Sequence, residues 1–203
     1  MKSKRSSCLK IGITGGIGSG KTHVCRIIQQ LGYPVFYSDQ EAKSIMQNDI
    51  EVIEQIKQLF GSSAYSNGEL NREHLAKCAF NNPSLLAQLN NAVHPVVRKN
   101  FSIFAEKHCD KQLIFNEAAI LFETGAYKNF DLNILITAPK KLRIERIMSR
   151  DNSSEEQVLS RMKNQWEDEQ KIPLADYVIT NDEKSDLETD IKKILQDIEQ
   201  KPK

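Results

Sequence analysis

A glycine-rich segment near the start of the chain has the residue types and spacing of a phosphate-binding loop. Residues 15–22 fit the pattern G-x-x-x-x-G-K-[ST]. Glycines let the backbone approach a phosphate with no Cβ in the way, and the N–H groups that open the following helix attract anions. Lys21 should reach the β- and γ-phosphates of a nucleoside triphosphate, and the Thr22 hydroxyl should bind Mg²⁺. The alternative is a glycine-rich turn with a surface lysine. The other expected phosphate contacts are Gly16, Gly18, Ser19 and Gly20.

Two acidic residues follow apolar runs that we predict to be strands. Asp39 comes after the second run and Glu117 after the third. The carboxyl ends of parallel strands form the ligand crevice of an open sheet, so Asp39 should lie near the phosphate loop. Asp39 could hold an acceptor hydroxyl and take its proton, or it could cap a helix that begins at Gln40. Glu117 could orient a water molecule bound to Mg²⁺.

Two further polar residues each have two interpretations. His94 precedes Pro95, which should bend or restart a helix predicted over residues 83–107. His94 could contact the acceptor or have a structural role at that break. Glu123 could bind a substrate group, or it could cap a helix or form a salt bridge.

Basic residues with helical spacing lie in a third region, residues 143–171. Its second helix should begin near Ser153, with Glu156 as the capping-box partner. Guanidinium groups suit phosphate because they donate two parallel hydrogen bonds. The same region contains seven acidic residues, so a solvated face with many salt bridges is the competing interpretation. The candidate phosphate ligands are Arg143, Arg146, Arg150, Arg161, Gln165 and Lys171.

Five short apolar runs should form the strands that position these groups. Buried parallel strands have continuous apolar sequences, and helical patterns separate the five runs, which is typical of an α/β protein with crossover connections. The connection 38–111 is predicted to be helical throughout, and 138–176 is a second long connection. Long excursions from a sheet usually carry function. The predicted strands are 9–14, 34–37, 112–116, 132–137 and 177–180.

Composition and charge exclude several classes of protein. The chain has 203 residues with 28 basic and 27 acidic side chains, a net charge of +1, which argues against a nucleic-acid partner. No apolar run approaches the roughly 20 residues that a membrane-spanning helix needs. The motifs D-x-x-G and N-K-x-D of signalling GTPases are absent from the sequence. The four cysteines form no C-x-x-C pair, as expected of reduced thiols. We expect a cytoplasmic protein with no membrane partner, and a monomer rather than a stable oligomer.

Together these residues resemble the dephospho-coenzyme A kinase family, and the matches run in order from about residue 10 to 182. Residues 13–22 are similar to the phosphate loop of that family, and Asp39 falls where the family has the second acid of an Asp-x-Asp. The other similar segments are 93–98 (V-H-P-x-x-R), 119–123 (P-L-L-F-E), 146–171 (R-x-x-x-R-D…R-x-x-x-Q…K) and 175–181 (A-D-x-V-I-x-N).

The resemblance implies an α/β P-loop NTPase fold of the nucleoside-monophosphate-kinase type. This fold has three layers, a parallel five-stranded sheet, a helical substrate-binding insert and a lid. It implies one kinase domain over 1–203, in which ATP and Mg²⁺ are used to phosphorylate the ribose 3′-hydroxyl of dephospho-CoA, the last step of coenzyme A synthesis. The implied parts are a core of 8–38, 112–142 and 172–203, a coenzyme-A-binding insert of 39–111 and a lid of 143–171.

The resemblance also implies roles for individual residues. Lys21, Asp39 and Arg150 would be catalytic, and Thr22 and Glu117 would serve the metal. Further ATP contacts would come from His23, through its backbone N–H, and from Arg146, Arg150 and Asn181. The implied acceptor contacts are Asp39, His94, Arg98, Glu123, Arg161, Gln165 and Lys171.

The sequence departs from the family pattern near the expected metal site. Tyr37 stands where the family usually has the first acid of its Asp-x-Asp, and Glu117 with Ala119 replaces a D-x-P. Mg²⁺ would then depend on Glu117 or on fewer contacts. Two alternatives stay open: a nucleoside or nucleotide kinase on the same core, and a non-catalytic nucleotide-binding module. The V-H-P element and the long insert speak against the first, whereas Tyr37 keeps the second open.

Overall fold

The computed structural model of the protein describes residues 8–80, 82–184 and 186–200. Its strands and helices follow one another in the α/β order that the sequence predicts. The strands are β1 (Leu9–Gly15), β2 (Val35–Tyr37), β3 (Tyr65–Ser66), β4 (Glu69–Leu70), β5 (Leu113–Glu117), β6 (Leu132–Thr137) and β7 (Tyr177–Thr180). The helices are α1 (Lys21–Gln30), α2 (Ser38–Asn48), α3 (Ile50–Phe60), α4 (Arg72–Phe80), α5 (Pro83–Lys107), α6 (Lys140–Asp151), α7 (Glu155–Met162), α8 (Asp168–Lys171) and α9 (Leu187–Gln200).

A five-stranded parallel sheet has the strand order β2-β5-β1-β6-β7. Strand β1 is its middle strand, and both Ile11 and Ile13 on it are completely buried. Residues 11–15 of β1 are all buried, and successive side chains of a strand face opposite sides of the sheet. A strand that is buried on both faces needs an apolar sequence, which explains its continuous apolar run. The five predicted strands and the α/β fold class are confirmed, with bounds that shift by at most one residue.

The chain forms two compact units, of which the first comprises Met1–Phe36 and Lys107–Lys203. In this unit α1 buries Val24, Ile27 and Ile28, the apolar face that its spacing indicates. Helices α6 and α7 pack together through a small apolar cluster of Ile147, Val158 and Met162. This unit contains the phosphate loop and the basic region 143–171.

The second unit, Tyr37–Glu106, contains α2 to α4, most of α5 and a small hairpin of β3 and β4. The prediction that 38–111 is helical throughout is therefore wrong at the hairpin. Its turn is Asn67-Gly68, both with positive φ, and this dipeptide is a strong hairpin signal. Gln47 on α2 holds the hairpin, since its amide donates to Gly68 O at 2.8 Å and accepts from Leu70 N at 3.1 Å.

Helix α5 continues through Pro95 for 25 residues, so the prediction that this proline restarts the helix is wrong. Proline removes a single backbone donor, and the buried side chains on both sides of it, Val93, Val97 and Phe101, favour an unbroken helix. Within the described residues, no helix is both long and apolar enough to cross a membrane.

Candidate active site

The phosphate loop joins the end of β1 to the start of α1 at Lys21, as its motif requires. Gly18 and Gly20 have φ values of +80° and +91°, a backbone conformation that glycine adopts without strain. A Cβ on Gly16 would lie 2.0 Å from the Arg143 guanidinium, so a side chain there would displace that group from its place beside the loop. The glycines therefore serve the turn and also let helix α6 approach the loop closely.

Side chains from outside the loop hold three successive loop carbonyls. Arg143 Nε donates to Ile17 O at 2.9 Å, Arg146 donates to Gly18 O at 3.4 Å, and Asn181 Nδ2 donates to Ser19 O at 2.9 Å. In a trans peptide the C=O and the following N–H point in opposite directions. The N–H groups of Gly18 and Gly20 are consequently turned away from these side chains, while the Ser19 N–H donates to Gly16 O at 3.1 Å. Gly18 and Gly20 are therefore the candidate donors of the anion-binding nest that the motif predicts.

Lys21 lies over the loop that it should serve. Its ammonium donates to Gly15 O at 2.8 Å, and Lys21 is the first residue of α1. Glu117 is buried at the end of β5, opposite Ile13 on β1. Burial and the Glu117 charge raise the pKa of the Cys25 thiol, while Lys21 lowers it, and the net shift is upward. Cys25 is thus a neutral buried group, and charges of both signs act at the base of the loop.

A magnesium ion would find oxygen ligands of the right kind on this unit. Thr22 is exposed in the first turn of α1, and Glu117 supplies a carboxylate. Groups of three or more His, Cys, Asp or Glu side chains that could hold a metal are absent from the described residues. Mg²⁺ commonly takes one or two protein oxygens together with substrate phosphates and water, so the residue types of Thr22 and Glu117 suit the ion.

Two arginines share one carboxylate at the far end of α6. Arg150 Nε lies 2.7 Å from Asp151 Oδ1, and Arg161 Nη1 lies 2.7 Å from Asp151 Oδ2. The hydrogen bonds from Arg150 and Arg161 hold the pKa of Asp151 far below its ordinary value. Both guanidinium groups are exposed, and a phosphate oxygen can occupy the same donor positions as a carboxylate oxygen.

Arg146 is bound more tightly to the protein than Arg150. Its Nη2 donates to Asn181 O at 3.2 Å, to Asn181 Oδ1 at 3.3 Å and to Glu183 Oε1 at 2.9 Å. Asn181 in turn donates to the loop carbonyl of Ser19. The structure therefore brings both of these expected ATP ligands to the phosphate loop.

Gln165, Lys171 and Glu123 make their observed contacts with protein groups. Gln165 Oε1 accepts from Ile17 N at 2.7 Å, and its Nε2 donates to Ala119 O at 3.2 Å. Lys171 is completely buried, and its ammonium lies 3.0 Å from Glu123 Oε1. The salt-bridge interpretation of Glu123 agrees with this contact. Direct substrate contacts by these three residues stay predictions.

Sequence reasoning missed the role of Asp168 and the burial of Arg143. Arg143 is 6% exposed, and its Nη1 lies 3.4 Å from Asp168 Oδ2. It has the same spacing pattern as Arg146 and Arg150, so no sequence signal separates it from them. The α7 capping box is also one residue later than expected, with Ser154 and Gln157 rather than Ser153 and Glu156.

Three of the expected acceptor-side residues, Asp39, His94 and Arg98, lie in the second unit. Helix α2 begins at Ser38, so Asp39 lies in its first turn and the alternative in which Asp39 caps a helix from Gln40 is wrong. The N-cap residue of α2 is Tyr37, the last residue of β2. Burial, and next the Arg98 charge, lower the pKa of His94, which is therefore neutral at physiological pH.

The parallel sheet, the glycine-rich loop between β1 and α1 and the basic residues around it define a P-loop kinase fold. A profile of the dephospho-CoA kinase family matches residues 9–186. The chain belongs to the dephospho-CoA kinase family.

Individual relatives agree with this family assignment. The chain is 36% identical over 193 residues to the dephospho-CoA kinase of Bacteroides fragilis, covering 95% of this chain and 94% of that one. It is similar to a solved protein of Thermus thermophilus with a TM-score of 0.83 and 34% identity, covering 97% of this chain and 100% of that one. The dephospho-CoA kinase of Campylobacter jejuni superposes with a TM-score of 0.68 at 29% identity, covering 93% and 96% of the two chains.

Proposed function

We propose that the protein transfers the γ-phosphoryl group of ATP to the ribose 3′-hydroxyl of dephospho-CoA, giving coenzyme A and ADP. The observation that carries this proposal is the phosphate loop in a chain of this family. Three successive carbonyls of the loop accept hydrogen bonds from Arg143, Arg146 and Asn181. Such a loop presents its N–H groups to a polyphosphate.

On the ATP side, the loop would bind the phosphates through Gly16, Gly18, Ser19, Gly20, Lys21 and Thr22. His23 would lie beside them at the start of α1, where its backbone N–H donates to Gly20 O at 2.9 Å. Lys21 would stabilise the charge on the transferring group, and Arg146 and Asn181 would support the loop and contact the nucleotide. Phosphoryl transfer depends mainly on positioning and on charge stabilisation, so these contacts supply most of the catalysis. Thr22 and Glu117 would hold Mg²⁺, which neutralises phosphate charge when it is bound.

On the acceptor side, Asp39 would hold the 3′-hydroxyl. The hydroxyl oxygen forms a bond to the γ-phosphorus as the bond to the ADP oxygen breaks, and the hydroxyl proton passes to Asp39. His94 and Arg98 would contact the acceptor. A neutral His94 suits this role, because it can donate or accept a hydrogen bond without adding charge.

Arg150 and Arg161 would close on the phosphates. Their shared contact with Asp151 keeps both guanidinium groups extended at the surface, where a phosphate could exchange with the carboxylate. An arginine that reaches the transferring phosphoryl stabilises the charge that develops there. Arg150 is therefore the proposed catalytic arginine, with Arg161 as its neighbour on the acceptor phosphates.

We further propose that the protein acts as a cytoplasmic monomer whose partners are these two small molecules. The cysteines that the structure describes are not joined in disulfides, which agrees with a reducing compartment. Light scattering of the purified protein would test the monomer.

An acceptor panel tests the proposed reaction. The purified protein is incubated with ATP, Mg²⁺ and one acceptor at a time, namely dephospho-CoA, AMP, CMP or dTMP, and products are followed by mass spectrometry. Coenzyme A should form from dephospho-CoA, while the nucleotides should give no product. The Lys21→Ala variant should lose at least about 100-fold in turnover, since a group that stabilises transition-state charge is removed.

The two alternatives give different results in the same panel. Phosphorylation of AMP, CMP or dTMP in place of dephospho-CoA would make the protein a nucleotide kinase. Binding of both ATP and dephospho-CoA without any product would indicate a non-catalytic module. In that case Tyr37→Asp, which restores the acid usual in the family, becomes the variant to test for recovered turnover.

A further inference from the structure

Ile17, at the tip of the phosphate loop, is held at three points by the region that follows β6. Its N–H donates to Gln165 Oε1 at 2.7 Å, and its C=O accepts from Arg143 Nε at 2.9 Å. Its side chain packs against the apolar cluster of α6 and α7. Ile17 is thus bound through both backbone polar groups to side chains far along the chain.

A chain of contacts fixes Gln165. Its Nε2 donates to Ala119 O at 3.2 Å, after the end of β5. The next residue, Trp166, donates its backbone N–H to Glu123 Oε1 at 3.1 Å, and that same oxygen lies 3.0 Å from the buried Lys171 ammonium. The Lys171–Glu123 ion pair therefore fixes the backbone beside Gln165.

A second set of contacts fixes Arg143. Asp168, at the start of α8, lies 3.4 Å from Arg143 Nη1, and Arg143 is 7% exposed at its side chain. The absence of a Cβ at Gly16 gives the guanidinium its place beside the loop. Both side chains that bind Ile17 are thus supported by residues of α8. Asp168 contacts Arg143, and Lys171 supports Gln165 through Glu123.

We infer that Gln165 and Arg143 are positioning residues that set the conformation of the phosphate loop by holding Ile17. We name this pair the Ile17 clamp; Glu123, Asp168 and Lys171 support it from behind. The inference deepens the proposed function and rests on it, because the loop is the proposed ATP site. It gives Gln165, Lys171 and Glu123 a role through the loop instead of a direct contact with the acceptor.

The physical reason lies in the two peptide groups of Ile17. Fixing the Ile17 N–H sets the plane of the peptide before it, and fixing the Ile17 C=O sets the plane of the peptide after it, including the Gly18 N–H. If the clamp is lost, these planes can rotate and the donors of the nest lose their alignment. A misplacement of about 1 Å can lower a rate by about 100-fold.

The test compares Gln165→Met with Gln157→Met. Methionine has a similar length to glutamine but cannot form either hydrogen bond of Gln165. Gln157 on α7 is the matched control. Its amide oxygen accepts a hydrogen bond from Ser154 N in the α7 capping box, away from the phosphate loop in sequence and in its hydrogen bonds. Thermal unfolding first establishes that both variants fold.

Calorimetry then gives the Kd for ATP, and steady-state kinetics give kcat and the KM for dephospho-CoA. Gln165→Met should raise the Kd for ATP at least about 10-fold and lower kcat, with the KM for dephospho-CoA changed by less than about twofold, because the loop alone is misaligned. Gln157→Met should leave all three values near wild type. The inference is overturned if Gln165→Met binds ATP like the wild type, or if only the KM for dephospho-CoA rises.

Amide hydrogen exchange of the wild-type protein gives an independent check that needs no variant and no activity. The Ile17 amide should be protected in the ATP-free protein, since Gln165 accepts its hydrogen. Exchange at the rate of an open loop would contradict the clamp. If the wild type does not bind ATP but Ile17 is protected, the proposed function fails while the clamp stands.

Discussion

Two charged clusters in the same region of the chain both pair arginine with aspartate, but they differ in burial and in their expected role. The inner cluster consists of Arg143, Asp168, Lys171 and Glu123, and the outer cluster of Arg150, Asp151 and Arg161. Side chains of the inner cluster are at most 17% exposed, whereas Arg150 and Arg161 are 65% and 42% exposed. Only the outer guanidinium groups can exchange a protein carboxylate for a phosphate without opening the interior.

The two aspartates shift in opposite directions. Burial raises the pKa of Asp168 and outweighs the opposing effects of the Arg143 and Lys171 charges. Hydrogen bonds from Arg150 and Arg161 lower the pKa of Asp151. The contrast teaches that Arg–Asp pairs can have different roles. The burial of the pair decides whether it supports the loop or presents charge to a ligand.

The largest expected effect is on stability, at the inner cluster. Lys171→Met leaves the Glu123 carboxylate buried without its cation, and breaking a buried ion pair in this way costs about 3–5 kcal/mol. The free energy of unfolding from urea titration measures it. The double variant Lys171→Met/Glu123→Gln should recover part of the loss, because no unpaired charge remains.

Lys192→Met provides the matched control, since Lys192 forms an exposed i,i+4 pair with Glu188. It should change the free energy of unfolding by no more than about 1 kcal/mol. If Lys171→Met costs as little as Lys192→Met, the inner cluster is not the supporting element that we describe.

The next effect is on turnover, at the outer cluster. Arg150→Ala should lower kcat for coenzyme A formation by about 100-fold, the cost of removing one donor to developing charge. Its stability should change little, since surface ion pairs contribute about 0–1 kcal/mol. Lys141→Ala, at a side chain that is 90% exposed on the same helix, should leave kcat unchanged. A variant Arg150→Ala with normal kcat but low stability would reverse the comparison.

The smallest effect is a pH dependence of opposite sign at the two aspartates. Asp168 has a raised folded pKa, so its favourable contribution is present below its unfolded pKa and is lost as the pH rises through the folded value. Asp151 has a lowered folded pKa, so its contribution is present above the unfolded pKa and is lost as the pH falls toward the folded value.

Unfolding free energies of the wild type, Asp168→Asn and Asp151→Asn, measured on acidification from neutral pH, test these signs. The advantage of the wild type over Asp151→Asn should shrink on acidification. The difference between the wild type and Asp168→Asn should shift in favour of the wild type instead. Parallel slopes for the two variants would show that burial does not separate the two clusters.

The loop, the five strands and the family were predictable from the sequence because each has a local signature. The loop needs glycines and Lys21 at fixed spacing, and buried parallel strands need continuous apolar runs. The hairpin between β3 and β4 also had a signal, the Asn67-Gly68 dipeptide, which a purely helical interpretation of the insert overlooked.

The division into two clusters was not predictable, because helical spacing indicates the face of the helix on which a side chain lies but not how deeply that side chain is buried. Arg143 and Arg150 are seven residues apart and share one face of α6, yet they lie about 10 Å apart along the axis at 1.5 Å per residue. Arg143 therefore meets the loop and Arg150 reaches the surface. The capping box was ambiguous for a similar reason, since Ser153–Glu156 and Ser154–Gln157 both fit the pattern.

The most direct test of the central claim follows the phosphoryl group itself. ATP labelled in the γ-phosphate is incubated with Mg²⁺, dephospho-CoA and either the wild type or Lys21→Ala, and the position of the label in the product is determined by phosphorus NMR. The wild type should place the label on the ribose 3′-hydroxyl of coenzyme A, with little transfer by Lys21→Ala. Label that appears only in inorganic phosphate, or equal transfer by both proteins, would contradict a dephospho-CoA kinase that works through this loop.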